Sequence, residues 1–174
     1  MLAAASGCAK STEQRLQIAL AGAGLHKTTV YPFAGTVTID GQPPDFGKSN
    51  KHLLVILYDL DHPDVPVEDL PHILVKKTGQ FAFTTYGSED GIEPGHYAVT
   101  FAAFRRKGAG SFIGPDQLHN LYNDPDLNAN NPQFKIDHQA PGKKDYAFDL
   151  QIAGKESTTP GPHALTTLAS NRRG

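Results

Sequence analysis

The sequence predicts an all-β fold, a single antiparallel β-sandwich of about seven short strands. Three observations support this class. Stretches in which polar and apolar residues alternate recur along the chain, which is the pattern of a strand with one buried face. Turn residues separate these stretches, because the 174 residues include 17 glycines and 13 prolines. No long stretch has the 3.6-residue period of an amphipathic helix, so strands account for the predicted core.

Seven strands follow one another in the predicted domain. The first alternates from Thr36 to Ile39, and Asp40-Gly41 ends it in a turn whose glycine tolerates a positive φ. The second, His52–Tyr58, is apolar on both faces and is therefore predicted to lie at the centre of a sheet. The predicted strands span residues 36–39, 52–58, 73–75, 81–86, 96–101, 134–136 and 146–152.

Alternation also predicts which side chains point into the core, since successive side chains of a strand lie on opposite faces. Phe81 and Phe83 share one face of the fourth strand. In the later strands the predicted inward residues are Tyr97, Val99, Phe101, Tyr146, Phe148, Leu150 and Ile152. The long connection 108–131 contains little beyond a helical turn predicted at Asp116–Leu121.

The only cysteine, Cys8, follows a run of small residues that resembles the end of a bacterial lipoprotein signal peptide, in which the cysteine becomes the lipidated first residue. A secretory signal also needs a basic segment and an apolar segment. Only seven residues precede Cys8, and none has a positive side chain. Either the true start lies upstream of Met1, or Cys8 is an ordinary residue ahead of a short helix capped by Ser11 or Thr12. We expect lipidation at Cys8.

The chain therefore divides into three predicted parts. Residues 1–27 are a signal-peptide remnant, lipobox and tether, residues 28–154 form the sandwich, and residues 155–174 are a disordered tail. No run approaches the roughly 18 apolar residues of a membrane span, so attachment to a membrane is predicted through a lipid on Cys8. The formal net charge of -2 gives no support to nucleic-acid binding. A single cysteine excludes an internal disulfide.

Five segments, in order, resemble motifs of the carboxypeptidase-regulatory-like domains found in bacterial lipoproteins. The first, Gly35–Pro43, is similar to the opening G-x-V-x-x-D-G-x-P of that family. The others resemble its T-x-x-G-x-F turn, its P-G-x-Y-x-V strand, its K-Y-x-D-P segment and its closing strand, at residues 79–81, 94–99, 121–125 and 148–150.

The resemblance implies a transthyretin-like, or prealbumin-like, Greek-key sandwich that is exported and lipid-anchored in the bacterial cell envelope. It supplies no catalytic residues to carry over to this chain. The sequence departs from the family pattern in the loop Asp59–Pro71, which is acidic, interrupted by proline and longer than that pattern.

The same loop contains the most suggestive metal candidates. Asp59, Asp61 and Asp64 could bind Ca²⁺ through oxygen ligands, although the EF-hand spacing with its glycine is absent. A second patch at residues 123–131 offers oxygen ligands too, but Asx-turns explain it as readily. Eight dispersed histidines lack the paired spacing of a zinc site: His26, His52, His62, His72, His96, His119, His138 and His163. No metal or other cofactor is predicted.

Exposed aromatic residues could provide a platform for carbohydrate, drawn from Tyr31, Tyr58, Tyr86, Phe112 and Tyr122. We expect a non-catalytic, exported lipoprotein domain that binds a protein or a glycan or has a structural role in the envelope. The alternative is a small metal-dependent or hydrolytic enzyme that uses the acidic loop or one of three histidines, His96, His119 and His138.

Overall fold

The computed structural model describes residues 11–24, 26–44, 51–107 and 111–152, and both Cys8 and the predicted tail 155–174 lie outside them. The described residues form two α-helices, a short 3-10 helix and eight strands. The helices are α1 (Thr12–Gly22) and α2 (Pro125–Ala129), and the 3-10 helix spans Val67–Asp69. The strands are β1 (Phe33–Ile39), β2 (Lys51–Asp59), β3 (His72–Leu74), β4 (Gln80–Ala82), β5 (Gly95–Lys107), β6 (Ser111–Ile113), β7 (Lys135–His138) and β8 (Lys143–Leu150).

The strands form two sheets, in agreement with the predicted all-β sandwich. In the three-stranded sheet, β1 lies between β4 and β8; in the five-stranded sheet the order is β3-β2-β5, and both β6 and β7 pair with β5. Two details differ from prediction. The described residues form eight strands, and the pairing of β1 with β8 is parallel, not antiparallel. These two strands are far apart in sequence, so no tight turn forces them to run in opposite directions.

The main core lies between the two sheets and is rich in aromatic rings. Phe101 of the five-stranded sheet meets Phe148 of the three-stranded sheet at a centroid distance of 5.2 Å. Phe33 stacks on Tyr146 at 4.4 Å. The inward-facing residues predicted by alternation are confirmed, because the buried cluster includes Phe81, Phe83, Tyr97, Val99, Phe101, Tyr146, Phe148 and Leu150, with Ile152 packed partly against it.

A second, smaller core lies on the outer face of the five-stranded sheet. Leu54, Ile56 and Ala102 are buried there beneath Leu70, which belongs to the proline-interrupted loop after β2. β2 is therefore apolar on both faces because each face has its own core, and its predicted central position is confirmed by β3 and β5 on its two sides. The loop after β2 thus covers apolar surface that would otherwise meet water.

β4 is shorter than the strand predicted at residues 81–86. It ends at Ala82, and the carboxylate of Asp90 accepts hydrogen bonds from the backbone N–H groups of Thr85, Tyr86 and Gly87 at 2.8, 2.9 and 2.8 Å. A side chain that binds three successive amides holds them in a turn and withholds them from a strand ladder.

The connection 114–134 completes the edge of β5 between β6 and β7. The N–H groups of Val99 and Phe101 donate to the carbonyls of Phe134 and Tyr122 at 2.8 and 2.9 Å. The N–H of Ala103 donates to the buried carboxylate of Asp116 at 2.8 Å. Burial raises the pKa of Asp116. Two carbonyls and one carboxylate of this connection therefore take the place of a neighbouring strand and accept the backbone N–H groups at the buried edge of β5.

Tyr122 connects the two sheets at this edge. Its carbonyl accepts the Phe101 N–H of β5, and its hydroxyl reaches Gln151, immediately after β8. The hydroxyl accepts the Gln151 N–H at 2.8 Å and donates to the Gln151 carbonyl at 2.9 Å. Because the ring also packs edge-on against Phe134 at 5.6 Å, Tyr122 closes this side of the sandwich.

The N-terminal segment forms a helix outside the core. Ser11 and Gln14 form a capping box at the start of α1, and the helix contains no buried residue. The structure attaches it through Lys27, which pairs with Glu13 at 3.1 Å, and through Thr28, whose N–H donates to the Tyr86 hydroxyl at 3.1 Å. Ser11 is one of the two caps considered for a short helix here, and α1 is not a core helix. In the described part of the chain, neither helix has the length and apolar character needed to cross a bilayer.

Candidate functional site

Side chains from three separate elements meet at one end of the five-stranded sheet. β2 and β5 are antiparallel with Asp59 opposite Tyr97, so the loop that follows β2 lies beside the start of β5. β7 pairs with the same part of β5 and places Asp137 opposite His96. The loop contributes Asp61, and His96 consequently has a carboxylate from each of two neighbouring elements within 4 Å.

Asp61 holds His96 through both its ring and its backbone. The Nδ1 atom of His96 lies 3.0 and 2.9 Å from the two carboxylate oxygens of Asp61, and the backbone N–H of His96 donates to the same carboxylate at 3.1 Å. These hydrogen bonds, the side-chain bond foremost, lower the pKa of Asp61. An ionised carboxylate only accepts, so Nδ1 carries a proton and the opposite nitrogen of a neutral ring is left as an acceptor.

That opposite nitrogen, Nε2, lies on the side of Asp137. Its distance of 3.9 Å to Oδ1 of Asp137 is too long for a hydrogen bond. It is short enough for attraction between the carboxylate and a protonated ring. The imidazole is therefore oriented by one carboxylate and presents its second nitrogen beside another, where this nitrogen can form a hydrogen bond with a bound molecule.

His96 lines an open cleft of about 450 Å³ between β7 and the end of α2. The cleft contains both hydrogen-bond donors and hydrogen-bond acceptors: Lys135 is a donor, Asp137 is an acceptor, and the amide of Asn130 is both. The other walls are apolar. The lining residues are His96, Ala129, Asn130, Pro132, Lys135, Ile136 and Asp137.

Asp59 fixes the turn that positions Asp61. Its Oδ1 accepts the N–H groups of Asp61 and His62 at 2.8 and 3.2 Å, which is an Asx-turn. Its Oδ2 lies 2.8 Å from Nδ1 of His62, and this hydrogen bond raises the pKa of His62. Asp59 thus stabilises the turn that carries Asp61, and it does not line the cleft.

Tyr97, the next residue after His96, points into the core on the other face of β5. Burial raises its pKa to about 12, and the carboxylates of Asp59, Glu93 and Asp61 add to the effect. The phenol stays protonated and donates to the Glu93 carbonyl at 3.1 Å. Tyr97 therefore contributes packing to this end of the sandwich, and the titratable group offered to the cleft by β5 is His96.

Two of the three calcium candidates have partners within the protein. Asp59 binds His62 and backbone amides, Asp61 binds His96, and Asp64 is exposed in the loop. Among the described residues, no group of three or more histidine, cysteine, aspartate or glutamate side chains is placed to hold a metal ion.

The second oxygen-rich patch, residues 123–131, has a structural explanation. Asp124 caps α2 by accepting the N–H groups of Asp126 and Leu127 at 3.0 and 3.1 Å. The buried amide of Asn128 donates to the carbonyls of Val99 and Tyr122 at 2.8 and 3.0 Å. The Asx-turn interpretation is therefore confirmed for Asp124, and the patch serves to hold α2 against β5.

The candidate histidines do not meet. His138 is fully buried on the face of β7 opposite Asp137, with its ring 5.1 Å from that of Phe33. His119 is exposed in the connection after β6 with a φ of 59°. Of the three histidines considered for an enzyme, only His96 lines the cleft.

Three of the described aromatic residues, Tyr58, Tyr86 and Tyr122, do not form the predicted platform. Tyr122 belongs to the main core, whereas Tyr58 packs against the outer core. Tyr86 is tied to Thr28 of the tether, and the side chain of Phe112 lies outside the described part of the structure.

Sequence reasoning missed Lys135, Asp137 and Asn130 as neighbours of His96. The polarity of Asp137 next to buried positions was visible, but its position beside His96 depends on the register between β7 and β5, which no local pattern encodes. Comparison with family models, curated proteins and solved structures finds no match for the chain.

Proposed function

We propose that this chain is an exported, lipid-anchored binding domain that holds a polar ligand, most simply an oligosaccharide of the bacterial envelope, in the cleft beside His96. The observation that carries the proposal is the imidazole of His96, fixed by Asp61 and directed at a cleft of about 450 Å³ with both donors and acceptors. Clefts of this size accommodate small ligands.

The chemistry of the cleft favours a glycan over a folded protein. Sugar hydroxyl groups both donate and accept, which matches the mixture of Lys135, Asp137 and Asn130 on apolar walls. A stable contact between folded proteins requires about 800 Å² on each partner, whereas this cleft is small and confined to one end of the sheet. A protein that inserts a single extended segment is the other ligand class to test.

The attachment proposal rests on Cys8 and on the arrangement of the N-terminal segment. Helix α1 buries none of its residues; Lys27 contacts Glu13 of this helix, and Thr28 joins the segment to the sandwich through Tyr86. Such a segment suits a spacer between a membrane and a domain. The resemblance to carboxypeptidase-regulatory-like lipoprotein domains supports the same proposal and extends it to a transthyretin-like Greek-key topology, with Gly35 to Pro43 as its first motif.

Ligand binding is tested by calorimetric titration of the protein with soluble peptidoglycan fragments and a panel of envelope oligosaccharides. We expect saturable binding that His96→Asn and Asp137→Asn each weaken about tenfold, because a cleft group left unpaired costs about 1–3 kcal/mol. His72→Asn is the matched control, since His72 lies on β3 at the far edge of the same sheet. Binding that is equal in all three variants, or absent for the whole panel, contradicts the proposed cleft.

Lipid attachment is tested separately in a bacterial host. The coding sequence, with any in-frame segment upstream of Met1, is expressed in cells fed a labelled fatty acid. We expect label in the protein, partition into detergent, and loss of both in Cys8→Ala. A protein that stays unlabelled with its natural upstream sequence refutes the anchor and leaves the cleft experiment unaffected.

A hydrolytic enzyme remains the second candidate, and one observation favours it. A histidine that is oriented by a carboxylate and offers its second nitrogen to a cleft has the geometry of a general base that activates water. Product formation during the titration, abolished by His96→Asn, would assign this role. Unchanged ligand after prolonged incubation would leave binding as the function.

A further inference from the structure

We propose that a second pocket, at the same end of the sandwich as the cleft, binds a primary amine carried on an aliphatic stem, which is the chemistry of a lysine side chain. The pocket lies between the loop after β2 and the connection from β4 to β5. Its volume is about 170 Å³, below the roughly 300–1,000 Å³ of pockets for drug-sized ligands. It therefore suits one side chain or one small molecule.

This pocket is separate from the cleft beside His96. The two cavities have no lining residue in common. Asp59 lines the pocket, whereas Asp61, two residues further on, holds His96. Occupation of the pocket is therefore independent of the oligosaccharide proposed for the cleft.

The walls of the pocket suit an aliphatic stem. Val65 and Leu70 of the loop and Ile92 of the connection line it with apolar side chains, and Tyr97 of β5 lies beside them. Contact with these walls removes the methylene groups of a stem from water, and the hydrophobic effect favours binding in proportion to the apolar area removed.

The polar side chains among the described lining residues already use their donors within the protein. The Tyr97 hydroxyl donates to the Glu93 carbonyl at 3.1 Å, and the Thr85 hydroxyl donates to the Gly91 carbonyl at 2.6 Å. The other two polar side chains are the carboxyl groups of Asp59 and Glu93, and an ionised carboxylate only accepts. A ligand recognised by these groups must therefore supply the hydrogen-bond donors.

Both carboxylates have room for a further donor. Two backbone N–H groups and the His62 ring take three of the roughly four lone-pair sites of Asp59. Glu93 is exposed and accepts the Thr28 hydroxyl at 2.5 Å, which uses one of its sites. An ammonium group has three donors and no acceptor, so it matches a pocket whose polar groups accept.

The charges around the pocket favour a cation for the same reason. Burial is the main cause of the raised pKa of Tyr97, and the carboxylates of Asp59 and Glu93 are among the charges that raise it further. No lysine or arginine occurs among the described residues that line the pocket. A bound ammonium group would therefore meet unlike charge without displacing a cation of the protein.

Titration of the whole methyl-labelled chain with N-acetyl-lysine methylamide tests the proposal. We expect saturable chemical-shift changes at Val65, Leu70 and Ile92, with a Kd on the order of 1 mM, that weaken as salt rises from about 50 to about 500 mM. The norleucine analogue has the same four-carbon stem without the ammonium group, and it should bind at least about tenfold more weakly.

A free amine and a lysine side chain share this chemistry, and n-butylammonium separates the two sources. Affinity equal to that of the lysine probe would assign the pocket to small amines. Affinity at least about threefold weaker would assign it to a lysine within a peptide, because the peptide groups then add contacts.

Charge variants test the role of the carboxylate. Glu93→Gln should weaken the lysine probe about threefold, as expected for an exposed pair of charges. Glu68→Gln removes the same charge from the loop after β2 at a residue that does not line the pocket, and it should change the Kd by less than about twofold.

Shape variants test the location. Val65→Phe should fill the pocket and abolish the changes at Leu70 and Ile92, whereas Val65→Ala should keep them, with circular dichroism showing that both variants are folded. A norleucine probe that binds as tightly as the lysine probe would overturn the proposal. Binding that survives Val65→Phe, or the absence of saturable changes at these residues in the unmodified chain, would also overturn it.

Discussion

The hydroxyl group of Tyr122 offers a quantitative test of how the sandwich is closed. Tyr122→Phe removes the two hydrogen bonds to the backbone of Gln151, at 2.8 and 2.9 Å, and leaves the ring against Phe134. Each such bond contributes about 0.5–1.5 kcal/mol net. Gln151 is exposed, so water replaces part of the loss. We expect the free energy of unfolding to fall by about 1–2 kcal/mol, and the thermal midpoint by roughly 4–10 °C for a domain of this size.

Urea denaturation of the variant measures the free energy, and amide hydrogen exchange at Gln151 measures the local effect. Tyr86→Phe is the control, since its hydroxyl also has two partners, both on Thr28 of the tether. That variant should change the free energy of global unfolding by less than about 0.5 kcal/mol, because the Tyr86 hydroxyl contacts the tether and not the core. Equal losses in the two variants, or unchanged exchange at Gln151, would refute the idea that Tyr122 clamps the sheets.

Two further changes test the packing and the buried histidine. Gly35→Ala should lower the free energy of unfolding by about 1–3 kcal/mol in urea denaturation, because the new methyl would lie 2.0 Å from the Tyr146 carbonyl oxygen. The matched change Gly22→Ala, with nothing within 4 Å, should be neutral or slightly stabilising, and an equally mild effect at Gly35 would contradict the close approach. Burial lowers the pKa of His138 below the ordinary histidine value of 6.5, so the folded protein keeps the ring neutral where the unfolded chain already binds a proton. Stability is therefore fully present above pH 6.5 and falls as the pH drops below that value, by at most about 1.4 kcal/mol per pH unit. His138→Gln should flatten the loss between pH 7.5 and 5.5, and an unchanged slope would assign it to other groups.

The parts of the fold that local sequence determines were predictable. Alternation identified the inward residues of β5 and β8 because one face of each strand is buried in the main core. The turn after β1 was also readable: Asp40 and Gly41 have φ values of 50° and 75°, which aspartate and glycine tolerate better than most residues.

The parts that depend on tertiary contacts were not predictable from local pattern. The apolar outer face of β2 gave no indication that Leu70, from an acidic loop, covers it. Asp116 and Asn128 read as loop residues, yet their side chains complete the edge of β5. The parallel pairing of β1 with β8 joins residues more than one hundred positions apart, beyond the reach of any window-based argument.

The candidate site, like the fold, was predictable from local sequence only in part. The spacing of Asp59, Asp61 and Asp64 in the acidic loop made them candidates for calcium binding. The contact between Asp61 and His96 at 2.9 Å arises because β2 and β5 are paired, and Asp137 joins through β7. Sequence therefore offered Asp61 and His96 as candidates for separate roles, and sheet register brings them together.

Chemical-shift mapping of the isotopically labelled chain with the oligosaccharide panel tests the central proposal most directly. We expect a bound oligosaccharide to perturb the backbone amides of His96, Asn130 and the segment Lys135–Asp137, which line the cleft. We also expect His96→Asn to move the midpoint of these changes to an about tenfold higher oligosaccharide concentration. Saturable perturbations confined to another surface, or no perturbation by any member of the panel, would contradict the proposal that this cleft is the binding site.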